Sequence, residues 1–190
     1  AQFTQTDIQG LIHHELGVHM VTTLNAAEQP LKIFKLGLPG NTETQEGLAI
    51  LSEYLSGNLT LSRVQTLAHR VLTVHMLVKK YDFTKTFKIL RDTCGLSRED
   101  AFSLTLRVYR GGGFTKDYLY FTGFRKLLQL YRSGTDLQPL FIGKTSIAFF
   151  DTLKEMIDRE MVSKPVYLPQ SMNSTAQNKD VLDYLLSSFA

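Results

Sequence analysis

The sequence predicts a mainly α-helical globular fold. Three observations support this prediction: apolar residues recur at helical spacing along most of the chain, glycine and proline separate the periodic segments, and hydrophobic residues make up 43% of the 190 positions. No apolar run is long enough to cross a membrane. One short segment departs from the pattern, because residues 31–38 read as a strand or an extended connector between Pro30 and Pro39.

Two helices are predicted in the first third of the chain. Thr4 to Asp7 supply side chains that can cap a helix, and the apolar spacing that follows predicts a helix over residues 6–24. The apolar positions behind this prediction are Ile8, Leu11, Ile12, Leu16, Met20 and Leu24. A cap at Asn41 or Thr42 begins a second helix over residues 42–56.

The remaining helices follow from the same signals. Apolar spacing and helix breakers predict further helices over residues 61–78, 83–93, 97–109, 115–131 and 144–159. Ser97 and Asp100 have the spacing of a capping box and begin the helix over residues 97–109. Three glycines end this helix. The polar segment 170–180 predicts a flexible linker before a last short helix. The predicted organisation is a helical domain, residues 1–170, followed by a linker and short helix, residues 171–190.

Composition and charge narrow the class of protein. The single cysteine, Cys94, excludes an internal disulfide and suits a reducing, cytoplasmic compartment. The net charge of +3 is mildly basic, and the basic residues are spread along the chain, so we expect no nucleic-acid partner. We also expect no membrane partner. The chain opens on Ala1 and enters a helix almost at once, so we expect it to be part of a longer protein.

The segment IHHELGVH, residues 12–19, contains a candidate metal site. Zinc peptidases carry two histidines four apart on a helix with a glutamate after the first, whereas His14 and His19 are five apart. A regular helix turns about 100° per residue and would place these two side chains about 140° apart around its axis. A π-bulge between them would restore a common face. Gly17 lies in this turn and tolerates a distorted backbone.

A carboxylate in the second predicted helix completes the candidate site. Glu46 stands at the start of an apolar helical run, where a buried carboxylate is costly unless a cation or a donor meets it. Two histidines and one carboxylate form a ligand set that is typical of catalytic zinc. Gly47, beside Glu46, would let the first helix approach closely.

The residues alone leave two simpler interpretations open. Two histidines near a glutamate occur by chance on exposed helix faces. Glu46 can also be a carboxylate near a helix N-terminus that the helix dipole stabilises.

Three segments of the sequence resemble motifs of one protein family. They are HHELGVH at 13–19, NTETQEGLAILSEYL at 41–55 and RVYRGGGFTKDYLYFTG at 107–123. Together they resemble the bacterial QEGLA-motif proteins, often labelled flavohaemoglobin expression-modulating proteins. That family is similar to the microtubule-associated tyrosine carboxypeptidases, whose vertebrate members remove the C-terminal tyrosine of α-tubulin. The resemblance extends to about residue 170 and implies a helical, zincin-like metallopeptidase core.

The resemblance also implies roles for four residues of the candidate site. His14, His19 and Glu46 would bind Zn²⁺, and Glu15 would be the catalytic general base. In that role Glu15 would accept the proton of a zinc-activated water and pass it to the leaving amine. The implied substrate is the C-terminus of a peptide or protein.

A second group of residues suits recognition of a terminal carboxylate. Arg107, Arg110 and Lys116 surround the three glycines, and arginine binds a carboxylate through paired hydrogen bonds. From the residues alone, a plain helix–helix turn with solvated basic side chains is the better interpretation. With the resemblance, we assign substrate binding to Arg107, Arg110, Lys116 and Tyr120.

The sequence therefore predicts a zinc-dependent carboxypeptidase that hydrolyses a C-terminal peptide bond. The alternative is a non-catalytic helical interaction or regulatory module that retains the metal site. Metal analysis together with a peptidase assay distinguishes the two.

Overall fold

The computed structural model describes residues 4–111, 115–174 and 180–187. The chain divides into two compact units, of which the first combines residues 1–60 with 122–190 and the second consists of residues 61–121. All regular secondary structure within the described residues is helical, which confirms the predicted mainly α-helical class. None of the described helices combines the length and the hydropathy that a membrane span requires.

The histidine helix, residues 5–28, is one continuous helical run whose winding changes at its centre. It consists of α1 (Gln5–Leu11), a π-helical segment (Ile12–Met20) and α2 (Val21–Glu28). Thr4 caps it, because its hydroxyl accepts a hydrogen bond from the Asp7 N–H while the Asp7 carboxylate accepts one from the Thr4 N–H. The helix predicted over residues 6–24 is confirmed and continues for a further turn.

The face that the histidine helix buries is partly polar. Val18 and Asn25 are fully buried, and Thr22 is nearly so. The apolar residues whose spacing predicted this helix are instead 41–51% exposed: Ile8, Leu11, Ile12, Leu16, Met20 and Leu24. The apolar spacing thus indicates the helix but not the side that faces the core.

Residues 31–38 contain a helical turn where a strand or extended connector was predicted. α3 (Ile33–Leu36) is a single turn, and Gly37 ends it with a φ of +108°. Phe34 is buried in this turn, and its carbonyl accepts a hydrogen bond from the N–H of Lys144. The prediction is wrong because a short apolar run between breakers does not distinguish a strand from a buried helical turn.

α4 (Asn41–Leu55) is the central helix of the first unit, and the π-helical segment packs against it. Every residue from 44 to 55 is buried. At Gly47 the closest neighbour is α8 (Leu119–Arg132), since a Cβ built at Gly47 would lie 2.4 Å from the carbonyl carbon of Gly123. The prediction that Gly47 admits the first helix is therefore wrong, because the backbone that approaches it belongs to α8.

Short elements follow α8 in the first unit. The 3-10 turns Gln138–Phe141 and Ile147–Phe149 precede α9 (Phe150–Asp158). The helix predicted over residues 144–159 therefore begins later than predicted, after the second of these turns.

The end of the described chain packs within the first unit. A 3-10 turn, Gln170–Asn173, lies in the predicted linker, and residues 175–179 of that linker lie outside the described residues. In α10 (Asp180–Ser187), Leu186 is fully buried and Asp183 accepts a hydrogen bond from the hydroxyl of Tyr54 at 2.6 Å. The predicted domain boundary at residue 170 stays a prediction.

The second unit contains α5 (Leu61–Val78), α6 (Phe83–Asp92) and α7 (Arg98–Tyr109). Met76, Leu90 and Ala101 form its buried apolar core. Ser97 caps α7 as predicted, because its hydroxyl accepts a hydrogen bond from the N–H of Asp100. Residues 112–114, which include two of the three predicted helix-breaking glycines, lie outside the described residues.

Candidate metal centre

The π-helical winding brings His14 and His19 to one side of the histidine helix. A π-helix forms hydrogen bonds between residues five apart, so side chains with that spacing come near one another. The two imidazole rings lie 5.1 Å apart between centroids, at an interplanar angle of 77°. The predicted π distortion is confirmed, and it extends over nine residues rather than a single turn.

α4 supplies a carboxylate to the same point. Glu46 Oε2 lies 3.5 Å from Nε2 of His14 and 3.7 Å from Nε2 of His19. The three ligand atoms all lie within 4.8 Å of one another. Glu46 and His14 are buried, whereas His19 is half-buried, so the cluster is open to solvent on the side of His19.

This set of donors fits a divalent metal ion. Zinc bonds of about 2.0–2.1 Å at tetrahedral angles separate neighbouring donor atoms by about 3.3–3.4 Å. The two N···O separations, 3.5 and 3.7 Å, are close to that value. Two imidazoles and a carboxylate also leave a further coordination position for water or substrate. The three ligands predicted from the sequence therefore converge in a cluster that could hold a metal ion.

A second buried carboxylate, which the sequence analysis did not assign, lies beside His14. Glu53 Oε1 is 2.8 Å from Nδ1 of His14, the ring nitrogen that does not face Glu46. Glu53 follows Glu46 by seven residues, about two turns of α4, so both side chains lie on one face of that helix. The signal in the sequence was this spacing, which places a lone acid inside the apolar run that follows Glu46.

The surroundings of His14 act on its pKa in opposite directions. Burial lowers the pKa, because the charged imidazolium loses hydration. Hydrogen bonds from the ring to Glu46 and Glu53, together with the charges of these carboxylates, outweigh burial and raise the pKa to about 9. Without a metal ion the cluster therefore holds a proton at neutral pH, and a bound cation has to displace it.

Polar contacts tie the histidine helix to its neighbours on both sides of the cluster. The hydroxyl of Ser52 donates to the carbonyl of His13 at 3.2 Å and lies 2.7 Å from the hydroxyl of Ser171. The hydroxyl of Thr22 donates to Gln45 Oε1 at 2.8 Å. The cluster therefore lies between two points at which the packed helices are joined.

Asn25 anchors the second half of the histidine helix. Its side-chain amide donates to the carbonyls of Phe141 and Tyr167, both at 2.8 Å. Its side-chain oxygen accepts from the N–H groups of Val166 and Tyr167. Sequence reasoning missed this buried asparagine because polar residues near a helix end are usually exposed.

Glu15 is exposed and lies outside the cluster of ligand atoms. It directly follows His14 in the π-helical segment. Its role as general base stays a prediction.

The residues predicted to bind a substrate carboxylate belong to the second unit. Arg107 forms an ion pair with Asp117. The Lys116 ammonium lies 5.8 Å from the ring centroid of Tyr120, and Arg110 is exposed at the C-terminal end of α7. Their role in substrate binding stays a prediction.

Arg70 adds positive charge to this region and was missed in the sequence. Its guanidinium lies 5.4 Å from the ring centroid of Tyr120. Burial lowers the pKa of Arg70, and the charges of Arg107 and Arg63 lower it further. Arg70, Arg107 and His69 line a cavity of about 350 Å³ in the second unit. Asp100 lines the same cavity and Arg107 pairs with Asp117, so these carboxylates offset part of the positive charge there.

Comparison with known proteins identifies the family. The model for the microtubule-associated tyrosine carboxypeptidase family matches residues 1–189, and the chain belongs to this family. A curated relative from Mus musculus, named "Putative tyrosine carboxypeptidase MATCAP2", is 26% identical over 175 residues. The match covers 85% of this chain and 32% of the relative, so the chain spans about a third of that relative's length. The resemblance to tyrosine carboxypeptidases is confirmed, and membership of the bacterial QEGLA-motif group stays a prediction.

Proposed function

We propose that this member of the microtubule-associated tyrosine carboxypeptidase family is a zinc-dependent carboxypeptidase. The observation that supports it best is the convergence of His14, His19 and Glu46 from two helices onto one point. Family membership supports the carboxypeptidase class. The fit of the donor set supports zinc as the metal.

In this proposal different residues of the chain bind the metal ion and transfer the proton. His14, His19 and Glu46 hold the ion. When bound, zinc supplies Lewis acidity that polarises a carbonyl group and makes a water more acidic. Glu15 takes the proton of the attacking water at its carboxylate and delivers it to the nitrogen of the leaving amino acid.

The proposed substrate is a peptide or protein with a free C-terminal tyrosine. The family description and the name of the mouse relative both specify tyrosine carboxypeptidases, and the family description adds association with microtubules. We therefore propose a tubulin C-terminus as a substrate to test first. Arg107, Arg110, Lys116 and Tyr120 would bind the terminal residue, with the arginines pairing with its carboxylate. We also propose a cytoplasmic location, where a free thiol such as Cys94 stays reduced.

The test combines metal content with turnover. The protein, purified without added metal, is expected to contain close to one zinc per chain and to release tyrosine from a peptide that ends in it. Glu15→Gln should keep the zinc and lose turnover, because glutamine cannot accept the proton. Glu28→Gln is the matched control, since Glu28 is an exposed glutamate at the end of the same helix. Full turnover in Glu15→Gln would remove Glu15 from its role.

A second candidate is a metal-retaining interaction or regulatory module without turnover. Its specific support is that Glu15 is exposed, whereas His14 and Glu46 are buried. Stoichiometric zinc with no release of any C-terminal residue from peptides would favour this candidate over the enzyme.

A further inference from the structure

We propose that Glu53 positions the metal ligand His14. Its carboxylate accepts a hydrogen bond from Nδ1–H of His14 and thereby fixes the tautomer and the ring orientation in which Nε2 binds the metal ion. This inference rests on the proposed function, since it concerns the same metal ion. It assigns Glu53 an indirect role, through His14, and no contact with substrate.

The geometry separates the two nitrogens of the His14 ring. Nε2 faces Glu46 Oε2 at 3.5 Å, on the side where His19 also converges. Nδ1 faces Glu53 Oε1 at 2.8 Å, a distance typical of a charge-assisted hydrogen bond. Each nitrogen of the ring thus has a carboxylate partner of its own, and the two partners belong to the same helix.

The tautomer follows from this arrangement. A neutral imidazole carries one N–H and one lone pair. With the proton on Nδ1 and directed at Glu53, the lone pair lies on Nε2, where a metal ion can bind it. The opposite tautomer would direct an N–H at the metal position and leave Glu53 facing a lone pair. A carboxylate behind a metal-binding histidine also raises the basicity of the ligand.

Burial makes a hydrogen-bonding partner important for the Glu53 carboxylate. Glu53 and His14 are each only 5% exposed, so water contributes little to either group. A buried carboxylate is costly without hydrogen-bonding partners, and Nδ1 of His14 is one such partner. Gly10 of α1 is buried against the same side chain, because a Cβ built at Gly10 would lie 4.0 Å from Cγ of Glu53.

The test measures zinc affinity in the full chain by competition with a chelator of known affinity. Glu53→Ala removes the acceptor and should weaken zinc binding by about 100-fold, and Glu53→Gln keeps a weaker, neutral acceptor and should weaken it by about tenfold. The matched control is Glu43→Gln, which removes an acid from the first turn of the same helix, where Glu43 pairs with Lys126. Glu43→Gln should bind zinc as the unsubstituted protein does.

A second readout separates positioning from general stability. In zinc-loaded protein with ¹⁵N-labelled histidine, the Nδ1–H of His14 should give a slowly exchanging NMR resonance. Glu43→Gln should keep this resonance, and Glu53→Ala should lose it. If Glu53→Ala does not fold, Glu53→Gln decides the question through zinc affinity.

The outcomes distinguish this inference from the function on which it rests. If the unsubstituted protein binds no zinc, both are overturned. If it binds zinc and a folded Glu53 variant binds zinc equally well, the positioning role is wrong and the proposed enzyme is unaffected. A Nδ1–H resonance that survives in Glu53→Ala would also overturn the role of Glu53.

Discussion

The two units of the chain place their ionisable groups in different ways. In the first unit, His14, Glu46 and Glu53 are buried, and both carboxylates of one helix lie within 3.5 Å of the His14 ring on the other. In the second unit the core of Met76, Leu90 and Ala101 is apolar. Asp117 is buried there and pairs with Arg107, whereas basic side chains such as Arg110 lie at the surface. Substitutions in the buried cluster should therefore change the fold and metal binding together. Substitutions of the surface basic residues should change ligand binding alone.

The largest effect is expected from Gly47→Ala, which tests how tightly the first unit is packed. The new Cβ would lie 2.4 Å from the backbone of Gly123, so α4 and α8 would have to separate. We expect the free energy of unfolding to fall by about 3 kcal/mol in a urea titration. The control is Gly17→Ala, whose Cβ meets Ser52 Oγ at an ordinary 3.5 Å and should change stability by less than about 1 kcal/mol. Equal effects in the two variants would contradict this packing.

Removing a metal ligand should give the next largest effect. His14→Ala deletes a buried donor, so zinc affinity should fall by more than the roughly 100-fold loss expected for Glu53→Ala, which removes only an outer hydrogen bond. His13→Ala changes the neighbouring histidine, which lies outside the cluster, and should leave the affinity unchanged. Competition with a chelator measures both variants. Loss of affinity in His13→Ala alone would mean that the ligands are wrongly assigned.

The metal-free protein should lose stability as the pH rises. Folding raises the pKa of His14 from 6.5 to about 9, so its protonated form stabilises the folded state fully below pH 6.5. That contribution should be lost as the pH rises to about 9, with a slope of about 1.4 kcal/mol per pH unit at most and about 3 kcal/mol in all. Urea unfolding at several pH values with EDTA present measures the slope. His14→Gln should flatten it, and a stability that rises over this range would contradict the prediction.

Substitutions of the exposed basic residues are expected to have the smallest effect on the stability of the protein. In this they should differ most from substitutions in the first unit. Arg110→Ala and Lys116→Ala should each raise KM for a peptide with a free C-terminus by about tenfold and leave the free energy of unfolding nearly unchanged. Lys79→Ala, another exposed lysine of the second unit, serves as the control. Unchanged KM in both test variants would remove them from substrate binding.

The sequence predicted the helices that carry the candidate ligands because local spacing decides their form. His14 and His19 are five residues apart, and two side chains with that spacing can share a face only if the winding changes. The caps at Thr4 and Ser97 follow from residue type in the same local way. Glu46 could be selected because an acid beside an apolar run needs a partner.

Other features depend on contacts between residues far apart in the chain. The neighbour of Gly47 is Gly123, and no local pattern links the two. The buried role of Asn25 depends on backbone groups of residues 141, 166 and 167. The histidine helix also buries polar side chains. Its apolar stripe therefore predicted the helix but not the side of the helix that faces the core. Glu53 was open to inference from helical spacing once His14 had been assigned.

Glu46 and Glu53 belong to the same helix, α4, and this has a mechanical consequence. A shift of α4 by one turn along its axis would displace the carboxylates of Glu46 and Glu53 from His14 at the same time. Release of the ion and loosening of the two helices should therefore occur as one cooperative event. A metal-indicator dye and circular dichroism should report the same transition temperature when the loaded protein is heated.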